Sequence, residues 1–566
     1  MKRTRRLLVA AVVLLSLASG HGLAGSAAPP PSGTAPALEV LATVGPWPTL
    51  SALIGYRGRL WFANSVRYPD HNSADLYSLG LAAGDVRFER HLFTQDVGTP
   101  MIAGGLLYWP YEDPRPSVGW GHIAVTDGDR WQLRVMPGDP PMFHVHALEN
   151  LGGRLYAATS AWRAGLHQST DGGLRWRQIY DHPTPARQVS RIVALAGYGG
   201  RLFGAVVERR GGAPRFPLLV LDGGAMTEVP GWPETARTLD LVAAEDGVYG
   251  LVRDAGGVAF WSTDGRVSQR VADAETMPPL RAFAAGADGF WGVGDAADSI
   301  GAGGALWHSK DGRRWRRVQD LAGGRPVDVA VYRGRVFVSG SGSDGRGILW
   351  GPPTASSALS PPGPPPGPPP GPPPGPPPAW PSRPAPQDVD WAAAEKTMNE
   401  AISKPDAYRT RLRDLAYRWA RAGPPPEFFE TALDAPFPDQ TVAMFGGNLT
   451  PRAVDLGHHI LLWGMGIAGR GRVPGALLER PWTRVSNRPQ KWFDSLPMAL
   501  FAVSWAGQND AATVASLIRR LDRAADPAWL RGDIIGALSA VTGKRFGYDI
   551  PAWRHWWAAA EGEWPR

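Results

Sequence analysis

Gly153-Arg154-Leu155-Tyr156 is one of seven instances of a single pattern, a glycine or small-residue turn followed by an apolar strand with an aromatic residue near its start. The others are Gly58-Arg59-Leu60-Trp61, Gly105-Leu106-Leu107-Tyr108, Gly200-Arg201-Leu202-Phe203, Asp246-Gly247-Val248-Tyr249, Asp288-Gly289-Phe290-Trp291 and Gly334-Arg335-Val336-Phe337. The residue before each aromatic recurs at spacings of 47, 48, 47, 46, 42 and 46. A period of that size, carried by short strands rather than helical stripes, predicts one propeller blade per repeat and therefore seven blades.

Within the third repeat, strands are expected over 145–148, 154–159, 165–169 and 175–179, joined by Gly-Gly and Asp-Gly turns that suit hairpins. The seventh repeat offers only 327–332, 335–339 and 348–351 before proline-rich sequence begins. An otherwise orphaned strand over 38–44 precedes the first repeat. Because an open sheet edge leaves ladder groups unpaired, this N-terminal strand is expected to complete the seventh blade. The sheet region is assigned to 36–352.

The two ends of the chain read differently. Lys2, Arg3, Arg5 and Arg6 precede an uncharged run over 7–20 and a tail of small residues, the pattern of a secretory signal over 1–27. Its removal lowers the formal net charge from +7 to about +3, which disfavours nucleic acid as a partner. The chain has no cysteine, which excludes disulfides, thiolate metal sites and a cysteine nucleophile. No cofactor and no metal are expected, and no stable membrane span after cleavage. The protein is expected to be exported, to the periplasm or beyond.

A proline-rich segment over 353–388 carries glycines at 363, 367, 371 and 375. That period of four excludes a collagen helix, which needs glycine at every third position. The segment is expected to be a stiff polyproline tether, on the order of 50 Å long. Beyond it, 389–566 reads as helices over 391–402, 405–421, 425–433, 452–467, 491–506, 511–524, 527–541 and 551–560. Val514, Leu517, Ile518 and Leu521 form an apolar stripe, with Arg519, Arg520 and Arg523 assigned to the wet side. The fold class is thus multidomain, a seven-bladed all-β propeller followed by an all-α helical-repeat domain.

Ser169-Thr170-Asp171-Gly172-Gly173-Leu174-Arg175-Trp176 places a hydroxyl, a carboxylate, turn glycines and a tryptophan in sequence, and Ser309-Lys310-Asp311-Gly312-Arg313-Arg314-Trp315 is a shorter form. The carboxylate is expected to accept N–H groups of its own turn and the tryptophan to pack between sheets. Ser169, Asp171, Gly173, Trp176, Ser309, Asp311, Gly312 and Trp315 resemble the Asp-box (BNR repeat) of sialidase-like propellers. That resemblance implies a structural role on the face opposite the ligand. The Arg-Ile-Pro stretch of sialidases has no counterpart beyond Pro214-Arg215-Phe216-Pro217, in the wrong order. Near the C-terminus, 538–549 leading into Trp553, Trp556 and Trp557 resembles the closing segment of HEAT-like repeat proteins. The three tryptophans suit one buried face.

The loops between second and third strands should open on the other face. They carry Tyr68, Asp70 and His71; Trp109, Tyr111, Glu112, Asp113, Arg115 and Trp120; Glu208, Arg209, Arg210 and Arg215; and Asp295 and Asp298. Aromatic platforms beside charges suit a sugar ring or a polar peptide. His144 and His146 fall on one face of a strand, but two imidazoles do not complete a metal site. No catalytic residue is assigned. The expected function is non-catalytic recognition or scaffolding, with an envelope protein or surface polysaccharide as ligand. The alternative is a sialidase-like glycoside hydrolase or polysaccharide lyase, which would need paired carboxylates inside the funnel.

Overall fold

The structure is a computed structural model, and it describes residues 37–566 except 66–72, 83, 116–117, 139–141, 185–187, 210–212, 297–302, 354–388, 426, 444–449, 470–472, 483–493, 524–527, 563 and 565–566. The stretch 1–27 read as a secretory signal, and nearly all of the proline-rich segment, lie outside the described residues. A multi-sheet, propeller-like region comes first and an all-helical region follows.

The strands are β1 (Glu39–Val44); β2 (Thr49–Tyr56), β3 (Arg59–Ser65), β4 (Ala74–Gly80) and β5 (Val86–Leu92); β6 (Met101–Ala103), β7 (Leu106–Pro110), β8 (Gly121–Thr126) and β9 (Trp131–Met136); β10 (His144–Leu151), β11 (Arg154–Ser160), β12 (Ala164–Ser169) and β13 (Arg177–Asp181). They continue as β14 (Val189–Tyr198), β15 (Arg201–Arg209), β16 (Leu218–Asp222) and β17 (Ala225–Glu228); β18 (Arg237–Ala244), β19 (Gly247–Asp254), β20 (Gly257–Thr263) and β21 (Ser268–Ala272); β22 (Leu280–Gly286), β23 (Gly289–Asp295), β24 (Gly304–Ser309) and β25 (Arg316–Leu321); and β26 (Gly324–Tyr332), β27 (Arg335–Gly342) and β28 (Gly347–Gly351).

Five sheets of four antiparallel strands, β6–β9 through β22–β25, each follow chain order. The remaining eight strands form one sheet, in which β2 meets β27 at the pair Thr49–Ser341, so that β26, β27, β28 and β1 make one half and β2–β5 the other. β1 lies antiparallel to β28, where the sequence analysis placed it. The innermost strands run side by side, β10 by β14, β14 by β18, β18 by β22, β22 by β26 and β26 by β2. In the strands β10, β14, β18, β22 and β26 a bulge shifts the register near the start of the strand. Such bulges twist the strand and re-aim its side chains.

The repeated aromatic on each second strand has a packing reason. Trp61 lies 6.2 Å from Trp131 of the next sheet, and Tyr108 donates its hydroxyl to the Gly172 carbonyl at 3.1 Å. A β-carbon on Gly265 would come within 3.0 Å of Phe203. In each case the aromatic receives the last hairpin of the following sheet, so the aromatic and the glycine turn recur together.

The helices are α1 (Trp391–Ile402), α2 (Arg413–Ala422), α3 (Glu427–Leu433), α4 (Ala453–Ala468), α5 (Ser495–Ala506), α6 (Ala511–Leu521), α7 (Ala528–Thr542) and α8 (Ile550–Ala560). Asp390, Asp510 and Asp549 cap α1, α6 and α8 by accepting the third N–H of each. The span expected as one helix over 405–421 is divided: a 3₁₀ turn and a π-helical turn over Tyr408–Leu412 precede α2. α4 and α5 are buried nearly all round and form the centre of the stack. Arg520 is not on the wet side as expected; it is buried, donating to the Leu478 carbonyl. Trp553 and Trp557 are buried, with Trp556 partly so. Among the described residues no helix is long and apolar enough to cross a membrane.

The helices pack directly on the sheets. α7 lies along β5, the Phe93 and Phe501 rings meet edge to face at 5.3 Å, and Arg90 donates to the Ser504 carbonyl at 2.8 Å while its guanidinium lies 4.1 Å over Trp505. One hydrophobic cluster runs from β2–β9 through to α8.

Candidate functional site

β7 and the loop from it to β8 carry the largest single group of sequence-assigned ligand contacts, and helices of the C-terminal region pack against several of them. Trp109, Tyr111, Arg115 and Trp120 are all buried, which corrects their expected role as solvent-facing contacts. Trp120 stands 5.2 Å from Tyr417 and 5.7 Å from Trp463, and the Arg413 guanidinium lies 4.2 Å above it. Trp463 donates its indole N–H to His122 Nε2 at 2.9 Å. Burial holds the His122 pKa down at about 3, so the ring stays neutral and keeps that acceptor. Large aromatic rings on an apparent loop thus served domain packing.

Beneath them lies a charged cluster that sequence reading missed. His91 is fully buried between two carboxylates, Nδ1 at 2.7 Å from Asp75 and Nε2 at 3.0 Å from Asp533 of α7. Arg115 pairs with the other oxygen of Asp533, while Asp75 also accepts the Trp47 indole at 2.9 Å and the Tyr548 hydroxyl at 2.8 Å. Burial favours the neutral ring most strongly, yet the bonds from Asp533 and Asp75 outweigh it and raise the His91 pKa. Gly536 makes room: a β-carbon there would approach His91 Cβ to 2.6 Å. Gly532 and Gly536 together form a notch in α7 that receives the His91 ring.

The corresponding face of the remaining sheets carries exposed residues, Arg237, Arg253 and Arg325 among them. Glu112 and Asp113 lie at its edge beside His144 and His146, whose rings stack at 5.5 Å. His146 Nε2 is 2.8 Å from Ser160 Oγ, and its Nδ1 is 3.7 Å from Glu112. That order of serine, imidazole and carboxylate invites a nucleophile reading. However, 3.7 Å exceeds hydrogen-bond reach and Ser160 has no exposed surface. Burial first, then Arg191, holds the His144 pKa at about 3; burial, His144 and Arg191 hold that of His146 well below its ordinary value. Among the described residues no three His, Cys, Asp or Glu side chains gather as metal ligands.

Glu208 is buried, bonded to His182 Nε2 at 2.9 Å, while the Tyr180 hydroxyl meets His182 Nδ1 at 2.8 Å. Arg215 binds Glu228 and Glu234 and lies 3.7 Å from Glu208, tying the outer strands of its sheet together. Asp295 accepts from Arg281 and, at 3.1 Å, from Arg325. Tyr68, Asp70, His71, Arg210 and Asp298 lie outside the described residues.

Sequence reading did not connect the arginines of this face. Arg191, Arg237, Arg281 and Arg325 stand at the starts of the innermost strands β14, β18, β22 and β26, one per sheet. Arg253 of β19 faces Arg237 directly across the ladder, and burial followed by Arg281 lowers its pKa. Farther along these strands, Asp240 accepts the Phe283 N–H and Asp328 the Leu53 N–H, both at 3.0 Å. Each carboxylate therefore joins its innermost strand to that of the neighbouring sheet.

On the opposite side, Asp171 accepts the N–H groups of Leu174 and Arg175 at 3.1 and 2.9 Å, Ser169 bonds Asp171 at 2.9 Å, and Trp176 donates to the Gly173 carbonyl. Asp311 likewise accepts the Arg313 N–H. Trp176 packs against the cluster of the preceding sheet, and Trp315 meets Phe260 edge to face at 5.6 Å.

No family model matches the chain, and no curated protein matches it. Among solved structures it is similar to one described as YCF48 bound to D1 peptide, at 16% identity and a TM-score of 0.38, over 56% of this chain and 97% of that one. It is also similar to the β-propeller domain of the trilobed protease from Pyrococcus furiosus, at 10% identity and a TM-score of 0.37, over 54% and 96%. A third is regucalcin, a calcium-binding protein from Agrobacterium tumefaciens strain C58, at 13% identity and a TM-score of 0.32, over 46% and 92%.

Proposed function

We propose that this is an exported, non-catalytic recognition or scaffold protein that holds an envelope protein or a surface polysaccharide on the open face of its sheets. On this reading the sheets are seven blades of one propeller, completed by β1, the turns at 169–176 and 309–315 are Asp-boxes, and the helices are a HEAT-like stack. The N-terminal basic and apolar pattern and the absence of cysteine from the sequence fit export without dependence on disulfides.

The observation that carries the reading is how the titratable groups of the open face are used. His146, His182 and Glu208 are buried and engaged in side-chain hydrogen bonds, and Asp240 and Asp328 are spent on backbone N–H groups of neighbouring sheets. Arg237 and Arg253 are instead exposed residues, with Arg253 donating to the Leu280 carbonyl at 3.4 Å. Fixed acid and base groups with outward cations suit holding a ligand better than turning it over.

The test immobilises the full chain and offers it solubilised envelope proteins and, separately, purified surface polysaccharide. One component is expected to be retained with its chain length unchanged. Retention of neither contradicts the proposal. Shortened polysaccharide with new reducing or unsaturated ends, abolished by Glu112→Gln, would replace it with the hydrolase or lyase alternative.

A further inference from the structure

Arg237 and Arg253 sit directly opposite each other in an antiparallel ladder, with Arg281 close enough to lower the pKa of Arg253. Like charges in that register are destabilising. The same face adds Arg191 on one side and Arg325 on the other, so arginine recurs near the start of the innermost strand on four successive sheets. Carboxylates neutralise only part of this arc: Glu112 lies 3.8 Å from Arg191, and Asp295 serves both Arg281 and Arg325. Arg237 and Arg253 are exposed and have no carboxylate within ion-pair distance among the described residues.

At the Arg191 end stands Trp162, 61% exposed on the β11–β12 turn. It is fixed there by its backbone, since the Trp162 carbonyl accepts the Ser190 N–H at 3.0 Å. An exposed indole whose backbone is bonded to the residue before Arg191 offers an apolar platform at one end of a line of anion receptors.

We infer that this arc, from Trp162 through Arg191, Arg237, Arg253 and Arg281 to Arg325, is the binding track for a uronate-bearing polysaccharide. Its carboxylates take the arginine forks and the face of one sugar ring lies on Trp162. The inference rests on the recognition reading above and narrows its ligand to an acidic glycan. A guanidinium fork matches a carboxylate two bonds at a time, and one arginine per sheet matches a polymer that repeats its charge. Carboxylate occupancy also removes the cost of the Arg237–Arg253 pair.

The experiment titrates the full chain with oligogalacturonate, with a maltooligosaccharide of equal length, and with poly-L-glutamate, at low and at physiological salt. Oligogalacturonate is expected to bind, to weaken as salt rises, and to bind at least tenfold more weakly to Arg237→Ala/Arg253→Ala and several-fold more weakly to Trp162→Ala. Maltooligosaccharide is expected not to bind. The double variant loses a like-charge pair, so its thermal midpoint should be no lower than the parent's, which separates lost binding from lost folding. Equal binding by parent and double variant overturns the inference. So does poly-L-glutamate binding as tightly as oligogalacturonate with no effect of Trp162→Ala, which assigns the arc to an acidic peptide. Failure of every anion to bind, while the immobilised chain still retains a neutral glycan or an envelope protein, overturns the arc and leaves the recognition reading standing.

Discussion

His91 is held between Asp75 and Asp533 with no exposed surface, and it joins a sheet to a helix. Its raised pKa means that the folded state keeps the proton where the unfolded chain would release it. The resulting stability is fully present below about pH 6.5, the ordinary histidine value, and is lost as pH rises through the folded value. Thermal unfolding between pH 6 and 9 should show that loss in the parent and a flatter profile in His91→Asn. Asp533→Ala removes the carboxylate that His91 and Arg115 share, leaving Asp75 alone on the other side of His91, and should cost about 3–5 kcal/mol by denaturant titration. Asp240 behaves in the same sense at lower pH, losing stability as pH rises. Burial chiefly, with Asp328 adding to it, pushes its pKa up to about 6 against the pull of the Phe283 N–H. The folded state therefore binds the extra proton and stability declines between about pH 4 and 6. Asp240→Asn keeps an acceptor for Phe283, so this decline should vanish and stability at pH 7.5 should be no lower than the parent's.

At the scale of elements, hairpins and helices were legible because each is set by near neighbours in sequence. The pattern Gly153-Arg154-Leu155-Tyr156 places β11 (Arg154–Ser160) correctly because a glycine turn and an apolar alternation need no distant partner. The Asp171 turn is likewise local. Asp171→Ala removes the acceptor for the Leu174 and Arg175 N–H groups and should cost about 1–3 kcal/mol, read as a fall in the thermal midpoint. The notch in α7 was not legible, because Gly532 and Gly536 look like weak helix residues until β5 is laid against them. Gly536→Val should push α7 off His91, exposing β5 amides to hydrogen exchange while β14–β25 remain protected. The bulges of the innermost strands were also silent in sequence, and they decide which of Arg191, Arg237 and Arg281 stand near one another.

At the scale of the molecule, the repeat period was enough to place the sheets and the composition change enough to place the helices, but not their union. Trp109, Tyr111, Arg115 and Trp120 were read as a ligand platform because aromatic and charged side chains on a loop look alike whether solvent or another domain covers them. Only Tyr417, Trp463, Arg413 and Asp533, some 300 to 420 positions away in the chain, reveal which. The union sets where a ligand can sit, because it closes the edge over β2–β9 and leaves the arginine arc as the available face. Differential scanning calorimetry of the full chain near pH 6.5, followed in parallel by circular dichroism, tests that union most directly. The account predicts one transition in which strand and helix signals are lost together, split into two by Asp533→Ala. Two separate transitions in the unaltered chain, with the helical signal melting independently of the sheets, would contradict it.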